Sequence, residues 1–292
     1  MNSSSRRVLN SPWLFLAPIL IPFVLFLLLP VLEVVRLSFH RWDWFEEEWV
    51  GLAQYALLFT DPDYLRAMLH TVAFALVVVP AWIVLTLVIA TLISPLRPPA
   101  RRRWTTLFYL PYLVSPVVLA IVWTWMLAPE SDGLVNRMLG LFGVGPVALL
   151  ASPKWAMACV ILSTAVTIPG SGVMLYGAAI SALPEELYEA ARIEGAGRWA
   201  QWRLITLPLL RPTTLYLTVI YTIASFQVFE RVYIMTGGGP AGSTTVMVHR
   251  IYTSAFQSFD FGGAAAESVV LLLMIGAVAW AQFGAMRSQT QY

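Results

Sequence analysis

Few side chains in this chain could do chemistry, and their spacing excludes most of it. Lys154 is the only lysine; the other seventeen basic residues are arginine. A nucleotide-binding P-loop needs Gly-x-x-x-x-Gly-Lys followed by Ser or Thr, because that lysine reaches the terminal phosphates. Lys154 stands between Pro153 and Trp155, so the chain has no P-loop of its own. His40, His70 and His249 are far apart, and none lies in the His-Glu-x-x-His spacing that puts two zinc ligands on one helix face. Gly170-Ser171-Gly172 lacks the spacing of a nucleophile elbow. A single cysteine, Cys159, allows neither an internal disulfide nor a cysteine metal site. The expectation is no catalytic residue and no metal ligands, which makes a membrane-embedded enzyme the weaker reading.

The elements that hold these residues are dictated by composition. The chain has 292 residues, 59% hydrophobic and 12% charged, with a mean hydropathy of +0.73. Soluble domains carry about 25% charged residues, so this much apolar surface needs lipid as its solvent. A helix crossing the hydrocarbon needs about 20 mostly apolar residues, and six segments qualify: 13–32, 70–93, 105–128, 155–180, 213–235 and 264–286. The expected class is all-α, a polytopic membrane protein with six transmembrane helices. The first segment follows Arg6 and Arg7, but it is longer than a signal-peptide core and no small-x-small site closes it, so it reads as an uncleaved span. Prolines inside the spans (Pro18, Pro22, Pro80, Pro116, Pro169) are tolerated where neighbours re-satisfy the freed carbonyls.

Orientation follows from the arginines. The loop 94–103 has four and no acid; Arg192, Arg198, Arg203 and Arg211 share the loop between spans four and five. With Arg6, Arg7 and Arg287 this gives eleven basic residues on one side against seven on the other. Both the N-terminus (1–12) and the tail (287–292) are therefore expected in the cytoplasm, flanking a six-span domain over 13–286. Trp42, Trp44, Trp49, Trp104 and Trp155 flank spans and fit an interfacial belt, whereas Trp123 and Trp125 are mid-span.

The loop 181–212 is the most informative segment. Pro184 suits the first turn of a helix, and Glu185 and Glu186 complement its positive end. Glycine commonly ends helices, so this one should stop near Gly195 or Gly197. A second short helix carries Trp199 and Trp202, and Leu207-Pro208 should break it. Loops of this length without a job are uncommon. Ala190, Ala191, Gly195, Ala196 and Gly197 form a small-residue surface that lets another backbone approach, with Glu189, Arg192, Glu194 and Arg198 around it. An amphipathic helix lying on the membrane surface is the plainer alternative.

Glu189-Ala-Ala-Arg-Ile-Glu-Gly195, with Ile205-Thr-Leu-Pro208 ten residues on, resembles the EAA loop of permease subunits in binding-protein-dependent ABC importers. Val50-Gly-Leu-Ala-Gln-Tyr55, Asp61-Pro62, Leu110-Pro111, Met235-Thr-Gly-Gly-Gly-Pro-Ala-Gly242 and Phe261-Gly-Gly-Ala-Ala-Ala266 are similar to segments of that family's carbohydrate branch. Glu194 stands where the family commonly has Asp, and Trp202 where it often has Phe; both keep the chemical character.

The resemblance implies a type I ABC importer permease fold in its minimal six-span form. It also implies partners: a cytoplasmic ABC ATPase dimer, a second permease subunit, and an extracytoplasmic sugar-binding protein, in a bacterial or archaeal inner membrane and with no nucleic acid. ATP and Mg would belong to the ATPase; this chain would bind no cofactor. Glu189, Ala190, Ala191 and Gly195 would form the core of the ATPase contact, with Arg192 and Arg198 beside them. Spans four and five would line the solute pathway, where Thr164, Thr167, Tyr221, Ser225 and Gln227 are the polar residues nearest mid-depth. The competing role for each is to hold helices together. A straight helix from Thr213 would carry Glu230 about 26 Å along, to the outer interface, and Glu267 sits near the outer end of span six. A permease for another solute, such as glycerol phosphate or a polyamine, is the nearest rival. An ion-coupled carrier would show internal repeats and deep ionisable residues.

Overall fold

The structure is a computed structural model that describes residues 12–42, 46–129 and 133–287. Arg6, Arg7, Trp44 and residues 288–292 lie outside the described residues. The chain forms two compact units, one of 1–61 with 251–272 and one of 62–250 with 273–292.

In the first unit, α1 (Pro12–Phe23), a π turn (Val24–Leu28) and α2 (Leu29–Leu37) follow without interruption. Residues 16–37 form a candidate span of mean hydropathy 2.5, none of it buried, which is a lipid-facing helix. It runs five residues beyond the expected end at 32. Strands β1 (His40–Trp42) and β2 (Glu47–Trp49) then form an antiparallel hairpin, pairing His40 with Trp49. The Arg36 guanidinium ties it down, donating to Glu33 and Glu47 at 2.6 Å each. Phe39 stacks on Trp49 and packs against Tyr55 of α3 (Ala53–Thr60). Two of the motifs quoted above meet here. Gln54 donates to the His40 carbonyl at 3.3 Å, and a Cβ on Gly262 would overlap the same carbonyl.

The second unit begins with α4 (Pro62–Ile93), a candidate span of 32 residues. Then come α5 (Pro98–Leu113), α6 (Pro116–Met126), α7 (Leu134–Leu141), α8 (Ala156–Val166), α9 (Gly170–Ser181) and α10 (Glu185–Ile193). They are followed by α11 (Arg198–Gln201), a second π turn (Trp202–Thr206), α12 (Leu207–Leu209), α13 (Arg211–Phe226) and α14 (Glu230–Met235). Two last helices, α15 (Met247–Phe256) and α16 (Phe261–Arg287), carry residues of both units.

Two expected spans, and the segment leading into a third, are bent rather than continuous. Helices α5 and α6 meet at 88°, α8 and α9 at 41°, and the 198–209 segment meets α13 at 64°. Proline pushes the residue before it towards extended backbone and cannot donate to the ladder. Ser115, before Pro116, accordingly has ψ 134°. Span five departs furthest from its expected 213–235. Its helix ends at Phe226, the chain breaks over 227–229, and Glu230 starts a new helix. Pro208 does not end the preceding helix either. The turn before it widens to π geometry, which spares the donor that proline lacks, and the bend falls at Leu210. A cluster around Phe74, Val78, Val160, Val228, Val232 and Val246 forms the buried core of this unit.

Candidate functional site

Helix α10 is built by local punctuation. Pro184 takes the N-cap position rather than the first turn, and Glu185 and Glu186 occupy the electropositive first turn. At the other end Gly195 has φ +79°, the left-handed conformation that a side chain disfavours. The Ala196 amide donates to the Ala191 carbonyl at 2.8 Å and the Gly195 amide to Arg192 at 3.1 Å, the paired bonds of a Schellman cap. Glu189, Ala190, Arg192, Gly195 and Arg198 are exposed, with Ala191 half-buried. Ile193 is 88% exposed and Leu187 44%, amid carboxylates too dense for hydrocarbon. Apolar side chains on a charged, water-facing helix make a surface suited to a protein partner. Arg192 lies 3.9 Å from Glu189, both exposed, which adds little stability.

Two side-chain hydrogen bonds hold the segment from α10 to the second π turn, one within it and one to α4. Tyr188 Oη and the buried Thr206 Oγ1 are hydrogen-bonded at 2.9 Å. Trp202 stacks on Trp199 and donates from Nε1 to Thr91 Oγ1 near the end of α4, at 3.3 Å. Trp202→Phe keeps the stack and removes the donor. Because a net hydrogen bond contributes about 1 kcal/mol, it should leave assembly intact and lower coupled transport a few-fold, read as uptake per ATP hydrolysed. Unchanged stoichiometry would make the contact irrelevant to transmission.

From Leu210, 1% exposed, the backbone passes straight into α13, whose far end borders a cavity of about 250 Å³. Thr164, Thr167, Ser225 and Gln227 line this cavity together with Trp82, Tyr112, Glu230 and Arg231. Two of these linings carry polar and aromatic chemistry side by side: Trp82 Nε1 donates to the Thr164 carbonyl at 3.1 Å, beside the kink between α8 and α9. Tyr221 does not line the cavity. It packs edge-on against Trp82 with ring centroids 5.3 Å apart, behind the wall. Gly170-Ser171-Gly172, excluded above as a nucleophile elbow, is a packing element. A Cβ on Gly170 would strike the backbone of Phe108 and Tyr109, and one on Gly172 would overlap Tyr221 Oη. Small residues let membrane helices approach in this way. Gly172→Ala should therefore destabilise the protein by about 1–3 kcal/mol, and Tyr221→Phe should recover part of that loss. Thermal unfolding of the two single variants and the double variant checks it; additive effects would contradict the contact.

Trp82, Tyr112, Glu230 and Arg231 line the cavity without having been among the expected site residues. Trp82 sits inside an apolar span and carried no signal that set it apart. Glu230 is exposed and Arg231 only 7% exposed, in a new helix that begins at Glu230 where one straight helix was expected. The Arg231 guanidinium donates to the Ser163 carbonyl at 3.0 Å and to Thr167 Oγ1 at 2.9 Å. Ser163 lies in the last turn of α8, whose free carbonyls favour a cation. Glu267, by contrast, is 2% exposed and accepts from Ser254.

Proteins already described resemble this chain along nearly its whole length. The lactose transport system permease LacF of Rhizobium radiobacter is 31% identical over 293 residues, covering 98% of both chains. The sn-glycerol-3-phosphate transport system permease UgpA of Salmonella typhi is 32% identical over 296 residues, covering 99% of both. A chain of the bacterial alginate ABC transporter, solved with an alginate pentasaccharide-bound periplasmic protein, superposes with a TM-score of 0.82 at 27% identity, covering 96% of this chain and 94% of that one. The fold is that of a type I ABC importer permease. Residues 83–284, which include α10 and most of the cavity lining, match the family of binding-protein-dependent transport system inner membrane components, and the chain belongs to that family.

Proposed function

We propose that this chain translocates a sugar, delivered by an extracytoplasmic binding protein and driven by ATP hydrolysis in a separate cytoplasmic ATPase dimer. The observation that carries this reading is the continuity from α10 through Leu210 into α13. A push on the exposed helix has a short covalent route to Ser225 and Gln227. The cavity chemistry suits a sugar: Trp82 and Tyr112 offer ring faces for C–H groups, while Thr164, Thr167, Ser225 and Gln227 offer hydroxyl and amide partners. Glu189, Ala190, Ala191 and Gly195 form the centre of the ATPase contact, and Arg192 and Arg198 its charged rim. One chain supplies one docking helix, so two ATPases call for a second permease across the pathway. ATP and Mg²⁺ bind the ATPase, and the arginine-rich loops and both termini lie on its side of the inner membrane.

A second reading, a phosphorylated polyol, draws on the guanidinium of Arg231 at the cavity, although Glu230 brings the opposite charge to the same lining. Proteoliposomes holding the purified importer separate these. The sugar reading expects uptake of a labelled sugar that requires ATP inside and the binding protein outside. Uptake of sn-glycerol-3-phosphate but no sugar selects the second reading, and solute uptake without ATP overturns both.

A further inference from the structure

A second cavity lies apart from the one assigned to solute. It has a volume of about 480 Å³ and lies among the end of α4, the start of α5 and the end of α9. Its rim holds Arg101, Arg102, Ser94 and Ser181, with Thr105 and Thr106 deeper along α5. No acidic residue lines it, and residues 94–113 contain none. Ala90, Ile93, Val173 and Met174 make its apolar floor. The apolar run of α4 ends at Ile93, so the cavity opens at the depth where hydrocarbon gives way to headgroups.

We propose that this cavity seats an anionic phospholipid, its phosphate between Arg101 and Arg102 and its acyl chains over the apolar floor. Each part of the ligand has a counterpart. Two guanidiniums without a protein carboxylate favour a phosphate; the Thr105 and Thr106 hydroxyls can donate to its oxygens, while those of Ser94 and Ser181, which donate to the Thr91 and Gly177 carbonyls, can accept from the glycerol; the floor excludes a ligand that is polar throughout. Basic pockets between helices at a membrane surface suit such headgroups. A bound lipid would bridge α4, α5 and α9, three helices whose arrangement also sets the position of Gly170 and Trp82.

The test is native mass spectrometry of the intact purified protein titrated with phosphatidylglycerol or phosphatidylcholine. Wild type should retain phosphatidylglycerol selectively. Arg101→Gln combined with Arg102→Gln should weaken that retention roughly 30-fold, given two arginine contacts at a lipid surface. Since removing two arginines could disturb insertion, Gly177→Leu provides a variant with all charges intact. Gly177 lines the cavity, and an added Cβ there meets no atom within 4 Å, so the side chain fills the void without moving the helix. It too should lose selective retention. Equal retention of both lipids by wild type, or undiminished selectivity in Gly177→Leu, overturns the proposal. So does inorganic phosphate that stabilises wild type as far as phosphatidylglycerol does, which would make free phosphate the ligand.

Discussion

Gly195→Glu should leave the chain in the membrane at wild-type level and abolish solute-stimulated ATP hydrolysis. The turn at Gly195 requires φ +79°, a conformation that costs a residue with a Cβ about 1–2 kcal/mol. That strain falls on a surface cap and not on the core. An added Cβ meets no atom of the chain within 4 Å, so nothing internal is displaced by the new side chain. What changes is the surface, where a carboxylate is placed beside Glu194 on the face offered to the ATPase. Strain and docking can be separated by a series. Gly195→Asn tolerates the left-handed turn and should retain most coupling. Gly195→Ala adds strain without bulk and should lose part of it, whereas Gly195→Glu should lose all. Equal losses across the series would place the defect in the cap alone.

Arg231→Met should abolish solute uptake while the chain still assembles with its ATPase. The guanidinium is buried and fastens α14 to the last turn of α8 through Ser163 and Thr167. Hydrogen bonds from a charged donor contribute about 1.5–3 kcal/mol each, and methionine keeps the apolar volume without replacing either. Both anchors lie beside the kink at Thr167–Pro169, so α8, α14 and the cavity wall should loosen together. Arg231→Lys keeps the charge but not the two-pronged geometry and should recover uptake only in part. Measured uptake with co-purification of the ATPase decides the matter. Full uptake by Arg231→Met would reduce the contact to a surface decoration.

The docking helix was legible because its signals are local. Pro184, the two glutamates and Gly195 each act on the turn in which they sit, and no distant contact is needed to read them. The spans were legible as apolar runs, but their geometry was not. A proline marks where a ladder must break; only packing decides that Pro116 turns the chain by 88° while Pro80 stays inside one helix. The hairpin at 40–49 escaped notice because its strands have three residues each and are held by Arg36, Trp49 and Tyr55, not by alternation. Reading span five as one straight helix missed the break that sets Glu230 and Arg231 into the cavity lining. The break at 227–229 has no proline or glycine to announce it. Tyr221 was legible as a mid-span polar residue, yet the ring it touches, Trp82, decides that it backs the wall instead of facing the cavity.

Cross-linking from the tip of the docking helix tests the central claim most directly. The chain has one cysteine, Cys159, and it is buried, so Cys159→Ser gives a background without thiols. Ile193→Cys then places a reactive group at an 88% exposed position on α10. In membranes carrying the intact importer, a short thiol-directed cross-linker should join this position to the ATPase subunit, with a yield that changes when ATP binds. Efficient labelling of Ile193→Cys by a membrane-restricted reagent, with no ATPase adduct under any nucleotide condition, would show a helix lying on lipid and would contradict the account.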